Sequence, residues 1–219
     1  MQEVFNADFE VPSPDRMFNI LSLLKEASGL EYVYFSKRSS TDIAGGTAPY
    51  GNAILSRYPF VSTDTIQIEN SVVEHMTIDN EVKNGINLQI VQIEEGGHTW
   101  TIANHHGHHE PDPDGNEDSI RAMARVAEVL KEYVTAAPLV LCGDLNVQPT
   151  SPVMRVFDGW LDDVITKSGA ISTLTGINVA RDIVCDHILI NDKVNVRHFN
   201  VSDEIVSDHC PVVIEVEGR

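Results

Sequence analysis

Between Val61 and Asn104, apolar and β-branched runs alternate with turn residues. Val72 to Ile78, Ile86 to Ile93 and Thr99 to Ala103 have the character of strands, and Asn80, Asn84-Gly85 and Gly96-Gly97 punctuate them. Breaks this short are the grammar of hairpins, so the middle of the chain is expected to form an antiparallel sheet.

The flanking segments add helices and further strands. Ser13-Pro14 has the form of a helix start, with Ser as cap and Pro in the first turn. Met17, Phe18, Leu21, Leu24 and Ala27 then follow helical spacing, and Gly29 closes the helix. Tyr32 to Phe35 is a β-rich run, Gly45 to Gly51 is expected to be a loop, and Ala53 to Leu55 is a short strand broken by Arg57-Tyr58-Pro59. A polar loop from His105 to Asp118 leads to Ser119, which is expected to cap a helix presenting Ile120, Met123, Val126, Ala127 and Leu130 on one face. Pro138 to Leu141 is a strand and Ser151-Pro152 opens a short helix through Phe157. Asp186 to Ile190, Val194 to Phe199 and Val212 to Val216 are the last strands. No linker or repeat divides the chain, so residues 1–219 are expected to form a single α/β (α+β) domain rich in antiparallel strands.

Composition limits the functional classes. Acidic residues outnumber basic ones by 33 to 15, a formal charge of −18, and Lys and Arg form no run. Such a surface repels polyanions, whereas duplex DNA binders draw most of their affinity from neutralising phosphates. Long nucleic acid is therefore an unexpected partner. Cys142, Cys185 and Cys210 are scattered and odd in number, which argues against a disulfide framework and for a reducing, cytoplasmic setting. No apolar run approaches the roughly 20 residues of a membrane span, and no signal peptide is visible.

Four segments carry candidate chemistry, and each falls at the end or start of a strand, where rigid elements display functional groups. Gly143-Asp144-Leu145-Asn146 follows an apolar strand and sets a carboxylate and an amide two residues apart; the same pattern also suits a simple Asx turn. Ser207-Asp208-His209 places a charge beside a ring that titrates near neutrality. Asn104-His105-His106-Gly107-His108-His109 puts four histidines within five residues, too many for all to lie in the core; His105, His108 and His109 are expected in a flexible polar loop, with a zinc site as the other reading. Gln2-Glu3 offers a single carboxylate of the kind Mg²⁺ accepts. Asp112, Asp114, Asn116 and Asp118 alternate, but an EF-hand needs Gly and Glu where Glu117 and Met123 stand, so this is a solvated acidic loop.

The order of the segments says more than any one of them. Gln2-Glu3, Gly51 to Arg57, Asn104 to His106, Gly143 to Asn146, Asp186 to Leu189 and Ser207 to His209 follow one another in a way that resembles the endonuclease/exonuclease/phosphatase superfamily over residues 2 to about 216. The resemblance implies a four-layer sandwich of two mostly antiparallel sheets flanked by helices. It implies metal-dependent hydrolysis of phosphate esters with Mg²⁺, or Mn²⁺ in its place. Glu3, Asp144 and Asp208 would serve the metal, and Asp144 would also orient the attacking water. Asn146 and His106 would contact the phosphate, and His209, oriented by Asp186, would act as acid–base or electrophile. Phosphoryl chemistry asks for these parts on general grounds, since a carboxylate is of little use beside a phosphate unless a cation or proton lies between them.

The sequence departs from the family pattern. His187 stands where Tyr is usual, and His105 fills the middle of the Asn-x-His motif. The strand and helix that usually precede Gln-Glu, about 30–45 residues, are not seen, so the domain is expected to be N-terminally shortened. An open sheet edge is then expected, and with it pairing into a homodimer. The expected substrate is a small or lipid-derived phosphate ester. A Mg²⁺-dependent endo- or exonuclease and a non-catalytic binding module on the same scaffold are the alternatives. The charge balance makes one of these testable: duplex DNA binding near physiological salt should be undetectable at micromolar protein, and submicromolar affinity with a steep salt slope would promote the nuclease reading.

Overall fold

The computed structural model describes residues 1–7, 18–43, 46–69, 85–134, 137–178 and 182–219. In chain order the elements are β1 (Val4–Phe5), α1 (Ile20–Ser28), β2 (Tyr32–Ile43), β3 (Gly46–Ser56), β4 (Phe60–Glu69), β5 (Ile86–Glu95), β6 (His98–His105), α2 (Glu117–Lys131), β7 (Leu139–Asp144), a 3-10 turn (Pro152–Phe157), β8 (Asp162–Asp163), α3 (Val164–Ser168), β9 (Asp186–Ile190), β10 (Val194–Val201) and β11 (Val212–Gly218). Six strands form one sheet in the order β4-β5-β6-β7-β9-β8, in which only β6 and β7 run parallel.

Side-chain alternation assigns the layers. On β5, Leu88 and Ile90 point outward and pack with Ala103, Leu139 and Leu141 against Met123, Val126 and Leu130 of α2. Residues between them point inward, where Gln89 Nε2 donates to the carbonyls of Tyr34 and Asn52. The facing sheet, β1-β3-β2, turns Val33, Phe35, Ala53 and Leu55 outward onto Ile20 and Leu21 of α1. The result is the expected sandwich of helix, sheet, sheet and helix. The second layer is completed by the hairpin β10-β11, whose Val196, Val212, Ile214 and Val216 cover Trp100, Ile188 and Ile190 of the large sheet. Among the described residues β1 and β11 are each paired on one side only. Val4 of β1 and Val212 of β11 both line a cavity of about 650 Å³.

Several local expectations change. Residues 46–51 are strand and not loop: β3 runs from Gly46 and pairs with β2 down to Ile43↔Gly46. Gly51 belongs there because a Cβ would lie 2.0 Å from the Ser36 carbonyl oxygen, so the glycine marks a close strand approach and not a turn. The second helix is capped by Asn116, whose Oδ1 accepts from the backbone of Asp118 and Ser119, while Ser119 reciprocates from the third helical position. The start at Ser13-Pro14 and the run Val72 to Ile78 lie outside the described residues, but Gly29 does close α1, in left-handed geometry.

Gly143 and Gly107 bring the ends of β6 and β7 together. A Cβ on Gly143, at φ 155°, would sit 1.8 Å from the His105 carbonyl oxygen, and one on Gly107 would lie 2.4 Å from that of Leu145. Gly143→Ala is expected to cost about 1–3 kcal/mol or more, a large part of a domain stability of about 5–15 kcal/mol. Urea denaturation measures it, and an unchanged midpoint would show that β6 and β7 can separate freely.

Candidate active site

The strand ends converge on a cavity of about 620 Å³ lined by Glu3, Arg38, His106, Asp144, Asn146, Cys185, Asp208 and His209, among others. Glu3 stands just before β1 of the three-stranded sheet, and the end of β7 delivers Asp144. Asn146 comes two residues later at φ 55°, and Glu3 sits at φ 57°. Left-handed backbone at a non-glycine residue costs energy and concentrates at functional sites. Only Asp182 shares it among the described non-glycine residues.

Asp144 lies between two imidazoles. Its Oδ2 is 3.7 Å from His106 Nε2 and 3.8 Å from His209 Nε2. The opposite nitrogens define both rings. Arg38 Nη1 donates to His106 Nδ1 at 2.6 Å, and because Arg only donates, the proton of a neutral His106 is on Nε2, facing Asp144. His209 Nδ1 donates to Asp186 Oδ2 at 2.8 Å, which leaves Nε2 turned toward the cavity. Asn146 is held by its own N–H to Asp144 Oδ1, by Nδ2 to the Gly107 carbonyl, and by His109 Nδ1 donating to its Oδ1.

The environment separates the two rings chemically. Burial and then the Arg38 charge hold His106 well below the usual histidine range. The hydrogen bond to Asp186 lifts His209 to about 9 against the loss from partial burial. Burial, and after it the charge of Asp186, pushes Asp144 up to about 7. A carboxylate this costly to ionise, in a cavity also lined by Glu3, Glu110 and Asp208 with Arg38 as its one Lys or Arg among the described lining residues, suits a site that a cation completes. The carboxylates of Glu3, Asp144 and Asp208 share this cavity. The potential ligand atoms that lie within 4.8 Å of one another are those of Asp144, Cys185 and His209.

The histidine loop differs from expectation. His105, His106 and His108 are all buried, and each has a polar group of the protein beside it. His105 Nδ1 donates to the Asn87 carbonyl, and burial takes its pKa down to about 4. His108 Nε2 lies 3.0 Å from Glu69. Only His109 is exposed, and it reaches the site. Among the described residues these histidines form no three-ligand metal group. His187 is also buried, donating to Asp163 from Nδ1 at 3.0 Å, with Nε2 2.8 Å from the Val147 carbonyl; it anchors the strand that presents Asp186. The acidic loop is used structurally, with Asp112 and Asp114 accepting from the Asp114 N–H and Gln148 respectively.

Arg38, Cys185 and Thr173 were not singled out by sequence. Arg38 had no signal beyond being one of few cations. Thr173 is fully buried; its Oγ1 accepts from the Cys185 and Asp186 N–H groups, and its carbonyl accepts from the Cys210 N–H at 2.7 Å. It thereby ties Asp186 to the segment bearing His209.

The chain belongs to the Endonuclease/Exonuclease/phosphatase family, whose profile matches residues 1–209. An endonuclease/exonuclease/phosphatase from Beutenbergia cavernae is similar in fold at 22% identity and a TM-score of 0.68; the match covers 99% of this chain and 61% of that one. The human Nocturnin catalytic domain, solved with a bound sulfate anion, matches at 18% identity and a TM-score of 0.71, over 94% of this chain and 78% of its own. A mannosyl-6-phosphatase from Bacteroides thetaiotaomicron matches at 18% identity and 0.63, over 90% and 80%. No curated protein matches the chain by sequence.

The shifts carry a pH dependence for metal-free protein. Asp144 and His209 both have folded-state values above their ordinary 3.8 and 6.5. The native state therefore holds more protons, and the stability that this contributes falls as pH rises through about 7 and then about 9. The thermal midpoint should decline over that window. Asp186→Asn should return the His209 ring from about 9 toward its ordinary range in an NMR titration; a ring still titrating near 9 would show that another group holds its proton.

Proposed function

We propose that this protein hydrolyses phosphate esters with the help of a divalent cation, Mg²⁺ or Mn²⁺, and that its substrate is a small or lipid-derived ester. The observation that carries this reading is the pair of imidazole Nε2 atoms flanking the Asp144 carboxylate within 3.8 Å, in one cavity at the strand ends. The family to which the chain belongs takes in nucleases and phosphatases by name.

Glu3, Asp144 and Asp208 would hold the cation, which when bound supplies charge neutralisation for the phosphoryl oxygens. His106, neutral and fixed by Arg38, offers its Nε2–H to a phosphate oxygen. Arg38 gives the anion its one close guanidinium charge in an otherwise acidic cavity. Asn146 presents its side-chain amide to a second oxygen. Asp144 orients the attacking water in line with the leaving group. His209, kept protonated by Asp186, is set to donate to the leaving oxygen or to neutralise charge on it.

The net charge of −18 favours a small or lipid-derived ester over long nucleic acid, although a nuclease remains the second reading within the same chemistry. The intact set of carboxylates and imidazoles argues against a binding module that has lost catalysis. No helix among the described residues is long and apolar enough to cross a membrane. Self-association through the unpaired side of β11 is the partner reading that accompanies this proposal.

A chromogenic phosphodiester and a matching monoester, each assayed with and without Mg²⁺, test the reaction. Chelator should abolish turnover, and Mg²⁺ or Mn²⁺ should restore it. His209→Ala should lower turnover by about 10²–10⁴-fold. Full activity in excess chelator, or a loss of tenfold or less for His209→Ala, would move the chemistry elsewhere.

A further inference from the structure

Cys185 lines the catalytic cavity, yet none of the proposed steps uses it. Its Sγ is buried beside Asp186 Oδ2, to which the thiol donates at 3.7 Å, and the same 3.7 Å separates it from Thr173 Oγ1. The Sγ, an Asp144 carboxylate oxygen and an imidazole nitrogen of His209 all lie within 4.8 Å of one another.

That donor set differs in kind from an oxygen site. Mg²⁺ takes hard oxygen ligands and has no use for sulfur. Thiolate, imidazole and carboxylate together are the ligands of zinc, and three protein ligands leave its fourth position open. A second feature points the same way. Zinc-bound imidazoles characteristically donate their remote N–H to a carboxylate, which fixes the tautomer and directs the other nitrogen at the metal. His209 is already in that arrangement, with Nδ1 donating to Asp186 at 2.8 Å and Nε2 3.8 Å from Asp144 Oδ2. Zinc bonds of about 2.0–2.3 Å in a tetrahedron set neighbouring ligand atoms roughly 3.3–3.7 Å apart, so small side-chain adjustments close the site.

We propose that Asp144, Cys185 and His209 form a binding site for zinc or a similar borderline divalent ion, and that occupancy of this site switches off the phosphoesterase reaction. Binding exchanges two protons for the metal: the Cys185 Sγ–H and His209 Nε2–H bonds break, sulfur–metal and nitrogen–metal bonds form, and both protons are released to solvent. Inhibition follows from the ligands themselves. A metal on His209 Nε2 leaves that nitrogen no proton to donate, and the same ion ties Asp144 away from water. The switch rests on the proposed function; the binding site does not.

The experiment is a titration of the metal-free protein with Co²⁺, followed by the thiolate-to-metal charge-transfer band and by tetrahedral visible bands. Equilibrium dialysis with Zn²⁺ in excess Mg²⁺ accompanies it. One equivalent is expected to bind, with the charge-transfer band present. Cys185→Ser and Cys185→Ala should abolish the band and weaken Zn²⁺ binding more than tenfold, since losing even an outer-shell partner typically costs about 10–100-fold. Cys210→Ser should leave both unchanged. In the assay, Zn²⁺ should inhibit Mg²⁺-supported turnover, and the Cys185 variants should resist it by the same factor while keeping turnover in Mg²⁺ alone. Absence of the band, its loss in Cys210→Ser, or undiminished Zn²⁺ affinity without the Cys185 thiol would overturn the site. A band without inhibition of an active enzyme would overturn the switch. If no phosphate ester is turned over, the spectroscopic and dialysis results still decide the site while the proposed function fails.

Discussion

The cavity depends on a seam of buried amides between the two sheets. Glu3 immediately precedes a strand of one sheet and Asp144 ends a strand of the other, so their spacing follows the spacing of the layers. Asn104 sits at the centre. It donates to Gln89 Oε1 at 2.7 Å and to the Met1 carbonyl, and it accepts from Gln2 Nε2 at 2.6 Å. Gln89 in turn donates across the gap to Tyr34 and Asn52. Each such bond is worth only about 0.5–1.5 kcal/mol net, but a buried group that loses its partner costs about 1–3 kcal/mol. The seam therefore resists a slip of one sheet over the other more strongly than it adds to stability. An apolar interface, such as the one β10-β11 forms over Trp100 and Ile188, is non-directional and could not fix the position of Glu3 as closely.

Elements governed by local pattern were legible in the sequence. The strand from Asp186 to Ile190 is found with those bounds, because the apolar run Ile188-Leu189-Ile190 is closed off by Asp186-His187 before it and Asn191 after it. The hairpin at Gly96-Gly97 and the cap at Gly29 follow from left-handed φ values that glycine accepts readily. The residues from Gly46 to Gly51 misled because glycine has two meanings. At a turn it supplies a positive φ, but at Gly51 it removes a Cβ that would strike a neighbouring strand. Only the partner strand distinguishes them, and the partner is specified by long-range pairing.

The site was legible in the same uneven way. Asp144, Asn146, Asp186 and His209 stand at strand ends that the apolar pattern marks. Arg38 and His106 are 68 residues apart in sequence, and nothing local to either announces the bond between them. The histidine loop shows the reverse error. Its polarity suggested solvent, yet His105 and His108 are buried, with the Asn87 carbonyl and the Glu69 carboxylate beside them. Sequence displays polarity one residue at a time, whereas burial depends on whether a partner is buried too.

Arg38 also explains how two chemically identical rings can act differently around one carboxylate. His106 and His209 approach Asp144 Oδ2 at nearly equal distance. Behind His106 stands a guanidinium, and behind His209 a carboxylate. The positive neighbour adds to burial in keeping His106 neutral, whereas the negative neighbour raises His209 to about 9. Near neutral pH one ring is thus a fixed, uncharged hydrogen-bond donor, and the other carries a proton it can give up. In the proposed hydrolysis this division places a constant donor toward the phosphate and a transferable proton toward the leaving oxygen. The assignment is made by the depth of each ring in the protein together with the residue behind it, and not by the rings themselves.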